Sequence, residues 1–350
     1  MPVTTTFARA SIAYKQDGSQ VAADQPRYES GHSGQAIMVE EGTTNLLRYS
    51  QDISNSAWVS QSGGTTFITG VTDPFGGTQA QTVTFSGGNL LLYQELTVSA
   101  FSYTSSFWVK GVVGETIGAG LEGNDPLLTL NGQWQKVTKT ATFTAGTHFA
   151  CDIHTYEGAT ARVVQYFGAQ LEQKAYATSY IPTTAVVVTR AAESLTIPTA
   201  GLLNAAEGTI ACWVKPGSGF GTNLLHHPLI SIGSDDNTKL ALQLRGDGSG
   251  NINAELFHGY GSGYEQIRYA LAKNLWVHLA VVWQVGVPSK LYVNGIPVQT
   301  TVQNSAYIFT VSVNIGSGFA EYSNSLIDDL RFYNKALTAA EVAQVYGGQA

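Results

Sequence analysis

The chain has 350 residues, including 38 glycines, with 11% aromatic residues, 12% charged residues and a formal net charge of −7. This composition is typical of short β-strands joined by tight turns. The acidic balance and the lack of a basic stripe argue against nucleic-acid binding, which depends on lysine and arginine contacts to phosphates. No apolar run reaches the roughly 20 residues that a spanning helix needs, so we expect no membrane insertion.

The first half of the chain has the strand and turn signals of a β-module. The stretch SSFWVKG (105–111) precedes NGQWQKVTKTATF (131–143), whose Asn-Gly pair lies between apolar runs. Asn-Gly accepts positive φ at both central positions, as a type I′ hairpin requires. An alternating strand, VVQYFGAQLE (163–172), closes this half.

The second half follows the same order of signals. IACWVKPG (210–217) echoes SSFWVKG, KNLWVHLAVVW (273–283) parallels NGQWQKVTKTATF, and LIDDLRFY (326–333) is the closing strand. We therefore predict two β-modules of related architecture. Apolar side chains on both faces of WVHLAVVWQV (276–285) predict a strand buried on both sides. The Asn-Gly pair of LYVNGIPV (291–298) predicts a hairpin.

A short helix is predicted at the end of the chain. Thr338 is a good N-cap, and Glu341 stands three residues later, as in a capping box. Leu337 and Val342 suit the hydrophobic staple, and Gly347-Gly348 ends the helix. We expect this helix to cover a sheet edge or an open core at the end of a β-sandwich.

Several motifs resemble known families. GTIACWVKP, LWVHLAVVWQVGVPSKLYVNGIPV and IDDLRFYNKALTAAEVAQVY together resemble the laminin-G-like, concanavalin-type jelly-roll. SNSAWV, SSFWVKG, GQWQKVTKTATF and FGAQLEQKAYATSYIPT resemble a carbohydrate-binding-module jelly-roll. These resemblances imply an all-β fold with two tandem jelly-roll β-sandwiches, an N-terminal extended arm and one short C-terminal helix. The implied boundaries are an arm at 1–48, jelly-rolls at 49–182 and 190–350, and a linker at 183–189.

The N-terminal stretch resembles a leader common in tailed-bacteriophage structural proteins, in which a short arm ends in EE-x-x-TNLL and runs into a jelly-roll. The joint GAQLEQKAYATSYIPTTAVVVTRAAE resembles the one that often follows. The resemblance implies a virion component: a fibre, tail-tip or head-decoration protein. Its arm would dock on another virion protein or a neighbouring subunit, and a homotrimer is common among such proteins. We see no signal peptide at the start, which fits a virion protein made in the host cytoplasm and released by lysis.

Three functions follow from these resemblances. The jelly-roll modules could bind host-surface glycans, serve as purely structural capsid or tail decoration, or cleave a polysaccharide. Jelly-roll glycoside hydrolases carry paired acids in an E-x-D-x-x-E run, and this sequence has no such run. We therefore expect a binding protein rather than an enzyme.

The best candidate for glycan binding is the loop FHGYGSGYEQIRY (257–269). Its glycines separate Tyr260 and Tyr264 on a turn beside His258. Exposed aromatic rings can stack on sugar faces, while polar neighbours fix hydroxyl groups. The alternative is a glycine-rich hairpin tip in which the tyrosines are incidental.

The adjacent acids of LIDDLRFY raise a second question. Strand alternation places Asp328 on the same face as apolar neighbours, where a carboxylate must be paired, hydrogen-bonded or metal-bound. The laminin-G-like resemblance implies that acids near this position can hold a structural Ca²⁺, and Glu172 ends the equivalent strand of the first module. Hydrogen bonding of Asp328 to backbone amides is the alternative. For Asp329 we expect an ion pair with Arg331.

Overall fold

The computed structural model describes residues 5–61, 63–122, 125, 127–155, 160–217, 225–233, 238–301, 306–307, 309 and 312–348. It confirms the all-β fold class, with 54% strand and 3% helix. No helix in the described residues is both long and apolar enough to span a membrane.

The strands are numbered in chain order. They are β1 (Thr6–Ala8), β2 (Ala13–Tyr14), β3 (Gln20–Val21), β4 (Arg27–Ser30), β5 (Gln35–Met38), β6 (Thr43–Asn45), β7 (Val59–Gln61), β8 (Thr65–Val71), β9 (Ala80–Phe85), β10 (Leu91–Val98), β11 (Ser102–Gly111), β12 (Thr116–Leu121), β13 (Leu127–Thr129), β14 (Gln135–Thr142), β15 (Gly146–His154), β16 (Arg162–Glu172), β17 (Val188–Arg190), β18 (Ser194–Pro198), β19 (Glu207–Lys215), β20 (His226–Ile232), β21 (Leu240–Gly246), β22 (Ile252–Gly259), β23 (Tyr264–Leu271), β24 (Val277–Gln284), β25 (Val287–Val293), β26 (Ile296–Thr300), β27 (Ser312–Ile315), β28 (Ser317–Gly318), β29 (Glu321–Tyr322) and β30 (Leu326–Tyr333). The helix α1 is Ala339–Tyr346.

The chain forms two compact units, which we call module 1 and module 2. Module 1 comprises Gln16–Gln20 and Thr43–Arg190, and module 2 comprises Met1–Lys15, Val21–Gly42 and Ala191–Ala350. Segments from both ends of the chain therefore build module 2.

Module 1 contains two five-stranded antiparallel sheets. Their strand orders are β13-β12-β15-β10-β7 and β14-β11-β16-β9-β8. Alternation along β11 buries Phe107 in the core, where it stacks on Tyr166, and turns Trp108 to the opposite face. The buried Asn45 amide of the TNLL motif donates to the carbonyls of Ala169 and Ile181 at 2.9 and 2.8 Å, which fastens the start of the module to its closing strand.

Module 2 contains two seven-stranded sheets. Their orders are β1-β18-β27-β20-β21-β22-β23 and β26-β25-β24-β19-β30-β5-β4. The predicted hairpin is confirmed as β25–β26, with φ of 50° at Asn294 and 78° at Gly295. The predicted two-sided strand is confirmed as β24, where Leu279 and Val282 are both buried although they lie on opposite faces.

The C-terminal helix has the predicted capping box. The Thr338 amide donates to Glu341 Oε2 at 2.7 Å, and the Glu341 amide donates to Thr338 Oγ1 at 3.3 Å. The helix packs its Val342 and Val345 against Ala280 and other residues on the outer face of the second sheet. It therefore covers a sheet face rather than the edge or open core that the sequence suggested.

The N-terminal segment differs from the predicted docking arm. Instead of extending away from the modules, β1 pairs with β18, β4 with β5, and β5 with β30, all within module 2. The boundaries differ too: the stretch 183–189, predicted as a linker, runs into β17, which pairs with β6 inside module 1.

A buried ion cluster explains why the N-terminal segment joins module 2. The Glu193 carboxylate accepts from Arg9 Nη1 at 2.7 Å and from Arg27 Nε and Nη2 at 2.7 Å each. Its Oε2 also accepts from the Glu40 amide at 2.8 Å, and the Glu40 carboxylate lies 2.7 Å from Arg27 Nη2. Burial would lower the pKa of Arg27, but the charge of Glu40 and the hydrogen bonds and charge of Glu193 outweigh burial and raise it. We call these four residues the Glu193 cluster.

Glu193→Gln should strongly destabilise module 2. The substitution leaves two buried guanidinium groups without their shared anion, and breaking a buried pair in this way costs about 3–5 kcal/mol of unfolding free energy. Denaturant unfolding monitored by circular dichroism measures the loss. Lys335→Gln, which removes an exposed ion pair with Glu341, is the control and should leave the midpoint unchanged. Equal midpoints for both variants would contradict the assigned role of the cluster.

Candidate functional site

The loop selected from the sequence is a hairpin in the structure. Strands β22 and β23 pair from Ile252↔Leu271 to Gly259↔Tyr264, and the turn closes with a 2.9 Å hydrogen bond from the Tyr260 amide to the Gly263 carbonyl. Strand β23 is the edge strand of its sheet. Because side chains alternate along a strand, those of this hairpin divide between the core face and the outer face.

His258 lies on the core face. Its side chain is fully buried, and its ring centroid is 4.2 Å from that of Tyr307. Neither ring nitrogen has a hydrogen-bond partner among the described residues. Burial lowers the pKa of His258 to about 4. The structure therefore removes His258 from the predicted surface site, because the alternation that buries Ile252 and Leu256 buries it too.

The two tyrosines occupy different positions. Tyr260 is half-buried in the turn, edge-on to His258 at 6.3 Å, and its hydroxyl lies over Gly263. Tyr264 is 50% exposed and stacks on Phe257 with a centroid distance of 4.8 Å on the outer face of the sheet. Of the three predicted residues, Tyr264 thus has its ring on the same outer face as Glu255 and Arg268.

A row of charged side chains crosses this outer face. At its centre the fully buried Glu255 accepts hydrogen bonds from Gln243 Nε2 and Arg268 Nε. Arg245 Nη1 lies 3.7 Å from Glu255 and donates to His226 Nε2 at 2.8 Å. Cross-strand pairing of β21, β22 and β23 brings Gln243, Glu255 and Arg268 into line, which local sequence motifs do not reveal.

The row continues to Glu321. Because a guanidinium can only donate, His226 Nε2 accepts from Arg245 and Nδ1 carries the proton toward Glu321, 3.4 Å away. Burial would raise the pKa of Glu321, but hydrogen bonds from the ring and backbone of His226 lower it. The row is therefore a chain of mutually oriented donors and acceptors.

Aromatic rings flank the row. The buried Lys239 ammonium lies 4.9 Å from the Phe257 ring centroid and 4.4 Å from that of Phe319. Phe319 is 41% exposed at the turn between β28 and β29, where Phe319 and Ala320 have φ of 54° and 63°. Non-glycine residues in this region are strained, and such strain often accompanies a functional surface. Sequence reasoning missed Phe319 because nothing local indicates that its turn lies over Lys239.

We call this surface the polar–aromatic face. Its ring side consists of Phe257, Tyr264 and Phe319 with Lys239, and its polar side consists of His226, Gln243, Arg245, Glu255, Arg268 and Glu321. Chemically, the face combines ring surfaces for stacking with fixed hydrogen-bonding groups.

The predicted metal ligands are already occupied by protein donors. Asp328 Oδ2 accepts from the Ser33 amide at 2.8 Å, and Oδ1 accepts from the Asp329 amide at 2.7 Å. These bonds correspond to the backbone-amide alternative and fasten the β4–β5 hairpin tip, where His32 stacks 3.5 Å from Trp213. Asp329, at a bulge with φ of 46°, pairs with Arg331 at 2.8 Å as predicted.

Glu172 is likewise enclosed. Its carboxylate accepts from the Thr178 amide and hydroxyl at 2.9 and 2.7 Å and from Gln170 Nε2 at 2.7 Å. Burial raises the pKa of Glu172. No cluster of three or more acidic, histidine or cysteine side chains that could hold a metal occurs among the described residues. Protein donors thus occupy the carboxylate oxygens of Asp328 and Glu172, and a structural Ca²⁺ at either residue stays a prediction.

Comparison with known proteins identifies the fold of one module. Residues 189–343 match the model of the concanavalin A-like lectin/glucanases superfamily (Laminin_G_3). The match gives residues 189–343 of module 2 the fold of a concanavalin A-like, laminin-G-type jelly-roll. No curated protein matches the chain significantly.

Among solved structures, the chain is similar to receptor-binding domains of botulinum neurotoxins. For the mosaic serotype C/D domain the TM-score is 0.37 at 15% identity, over 45% of this chain and 40% of that chain. For the serotype D domain in complex with N-acetylneuraminic acid the TM-score is 0.35 at 18% identity, over 45% and 40%. The matched region therefore spans less than half the length of those proteins.

The buried histidines of module 2 should make it sensitive to acid. Burial lowers the pKa values of His227, His258 and His278 to about 4. An unfolded histidine has a pKa of about 6.5, so the unfolded state binds more protons between about pH 6.5 and pH 4. Stability should therefore fall as the pH drops through this window, by at most about 3 kcal/mol per histidine.

His258→Leu should flatten this pH dependence. Denaturant unfolding of wild type and variant at pH 4.5, 5.5 and 7 measures the slope of unfolding free energy against pH. An unchanged slope in His258→Leu would show that its protonation is not linked to unfolding.

Proposed function

We propose that the protein binds glycans without cleaving them, and that the polar–aromatic face of its concanavalin A-like domain holds the saccharide. The observation that carries this proposal is the position of two half-exposed rings, Tyr264 and Phe319, beside the fixed row of Glu255, Arg268 and His226. Binding sites of this kind combine apolar contact surfaces with a few placed polar groups.

The two parts of the face suit the two sides of a sugar. The C–H face of a pyranose ring can pack on Tyr264 or Phe319, while its hydroxyl groups can bond to Arg268, Arg245 and Glu321. These polar groups already hold one another in place, so ligand binding immobilises few side chains. Arg268 and Glu321 remain 42% and 27% exposed at their side chains and are therefore open to a ligand.

Glycan cleavage is less well supported. Hydrolysis needs two carboxyl groups that flank the scissile bond, one of them free to donate a proton. Both oxygens of Glu255, the buried acid of the face, are engaged by Gln243 and Arg268. This geometry favours recognition over catalysis.

Tyr264→Ala should weaken glycan binding at least tenfold. Screening the full chain on an array of cell-wall and capsular saccharides selects the ligand, and calorimetry then measures its affinity. Arg268→Gln should also weaken binding, because it removes a donor from the row. Tyr269→Ala is the matched control: this tyrosine lies on the same strand, is 43% exposed, and points to the other face. Unchanged affinity in Tyr264→Ala, or no binding to any saccharide, would refute the proposal.

We further propose that the protein is a structural component of a tailed-phage virion, such as a fibre, tail-tip or head-decoration protein. The support is the resemblance of the N-terminal leader and of the joint after module 1. In that setting the modules would present binding surfaces to the host, and other virion proteins or further copies of the chain would be partners.

Immunoblotting of purified, DNA-filled particles tests the virion proposal. The protein should co-purify with particles at constant stoichiometry, and immunogold labelling should place it on the head or tail. Recovery only from a soluble host fraction would reject the virion role. A particle-bound protein that ignores every saccharide would favour the purely structural alternative.

A further inference from the structure

Module 1 carries a second aromatic surface, on the outer face of the sheet β14-β11-β16-β9-β8. Its centre is the half-buried Trp108. The indole lies over Gly168: a Cβ atom there would stand 3.0 Å from indole carbons Cε3 and Cζ3. Gly168 has φ of 72°, so the bulge that places it here also disfavours a side chain. One face of the indole therefore rests on backbone.

Neighbouring rings fix the indole in its plane. Phe75 contacts it edge-on with a centroid distance of 5.2 Å, and Tyr180 does so at 5.8 Å. Phe167 is tilted against it at 6.0 Å. The indole is held on one face and along its edges. It therefore loses little conformational freedom when a ligand packs on its remaining face.

A lysine ammonium also lies over the indole ring. Lys136 pairs directly with Trp108 across β11 and β14, and its Nζ lies 5.0 Å from the ring centroid. Lys136 is exposed, and its flexible stem allows the ammonium to move aside while staying near the ring. The indole is thus a ring platform with a cation over it.

The charged strand neighbours of the indole are cationic. The adjacent positions on the same face are Ser106 and Lys110 along β11, Lys136 across β14, and Phe167 across β16. Two of these four residues are cationic, although the chain as a whole carries a net charge of −7. A local positive field at a ring platform favours a ligand that is both ring-shaped and anionic.

We propose that Trp108 and Lys136 form a subsite for an acidic sugar of the uronate class. The C–H face of the sugar ring packs on the indole, and the sugar carboxylate pairs with the Lys136 ammonium, with Lys110 adding to the attraction. The proposal rests on the glycan-binding function above and extends it to module 1. A neutral sugar gains the stacking without the ion pair.

Calorimetry of the full chain with tetragalacturonate and with its methyl ester tests this subsite. The two probes share the same rings and differ in charge. We expect the acid to bind at least fivefold more tightly than the ester at low salt, and this preference to shrink as salt screens the ion pair. Equal affinities for the two probes would overturn the proposal.

Single substitutions show where on the protein the galacturonate probes bind. Lys136→Gln should abolish the preference for the acid, and Lys136→Arg should retain it. Lys273→Gln makes the same charge change in module 2 and should have no effect. Trp108→Ala should remove binding of both probes at this subsite, with circular dichroism to check the fold. Lys136→Gln remains decisive if Trp108→Ala does not fold, because the lysine side chain is exposed.

The outcome separates this subsite from the polar–aromatic face. If Tyr264→Ala retains tetragalacturonate binding and Lys136→Gln loses the acid preference, the subsite on module 1 stands. If Lys136→Gln keeps the preference and Tyr264→Ala loses all binding, this inference is refuted while the proposed function of module 2 survives.

Discussion

The Glu193 carboxylate is the constraint on which the architecture of module 2 depends. It is fully buried and binds Arg27 and Arg9, which lie 166 and 184 residues away in sequence. Each buried charge would be costly alone, so the cluster forms with all its members in place. The beginning of the chain must therefore lie beside residue 193 in the folded protein. That requirement explains why β4 and β5 extend the second sheet of module 2 instead of remaining a separate arm.

The incorporated N-terminal segment has a further structural effect. Strand β5 pairs with β30, so the β4–β5 hairpin tip reaches Asp328, whose carboxylate accepts the Ser33 amide. The same tip places His32 on Trp213. The paired acids of LIDDLRFY thus divide their roles: Asp328 fastens the hairpin tip, and Asp329 pairs with Arg331 at the bulge.

The sequence predicted the features that depend on residues close to one another in the chain. The hairpin at Asn294-Gly295 and the Thr338–Glu341 capping box depend on residues within four positions of each other, and both are confirmed. The Glu193 cluster depends on partners far apart in sequence, so no local pattern announces it. The burial of His258 could be predicted from strand alternation, because Ile252, Ala254 and Leu256 lie on the same face of β22 as His258. The glycines that follow His258 instead favoured the prediction of a surface loop.

The polar–aromatic face was predictable in part for the same reason. Tyr264 could be selected from its glycine-rich surroundings, but the partners of Glu255 follow from strand register, which the sequence does not specify.

The Glu255 and Glu193 carboxylates have similar chemistry but different roles. Both are fully buried and bound to arginine. Around Glu193 the arginines Arg9 and Arg27 are themselves inaccessible, so the cluster can only stabilise the fold. Around Glu255 the guanidinium of Arg268 is 42% exposed at its side chain, so its remaining donors can reach a ligand while Glu255 holds it in position. Exposure of the partner, rather than the identity of the pair, distinguishes the structural cluster from the binding surface.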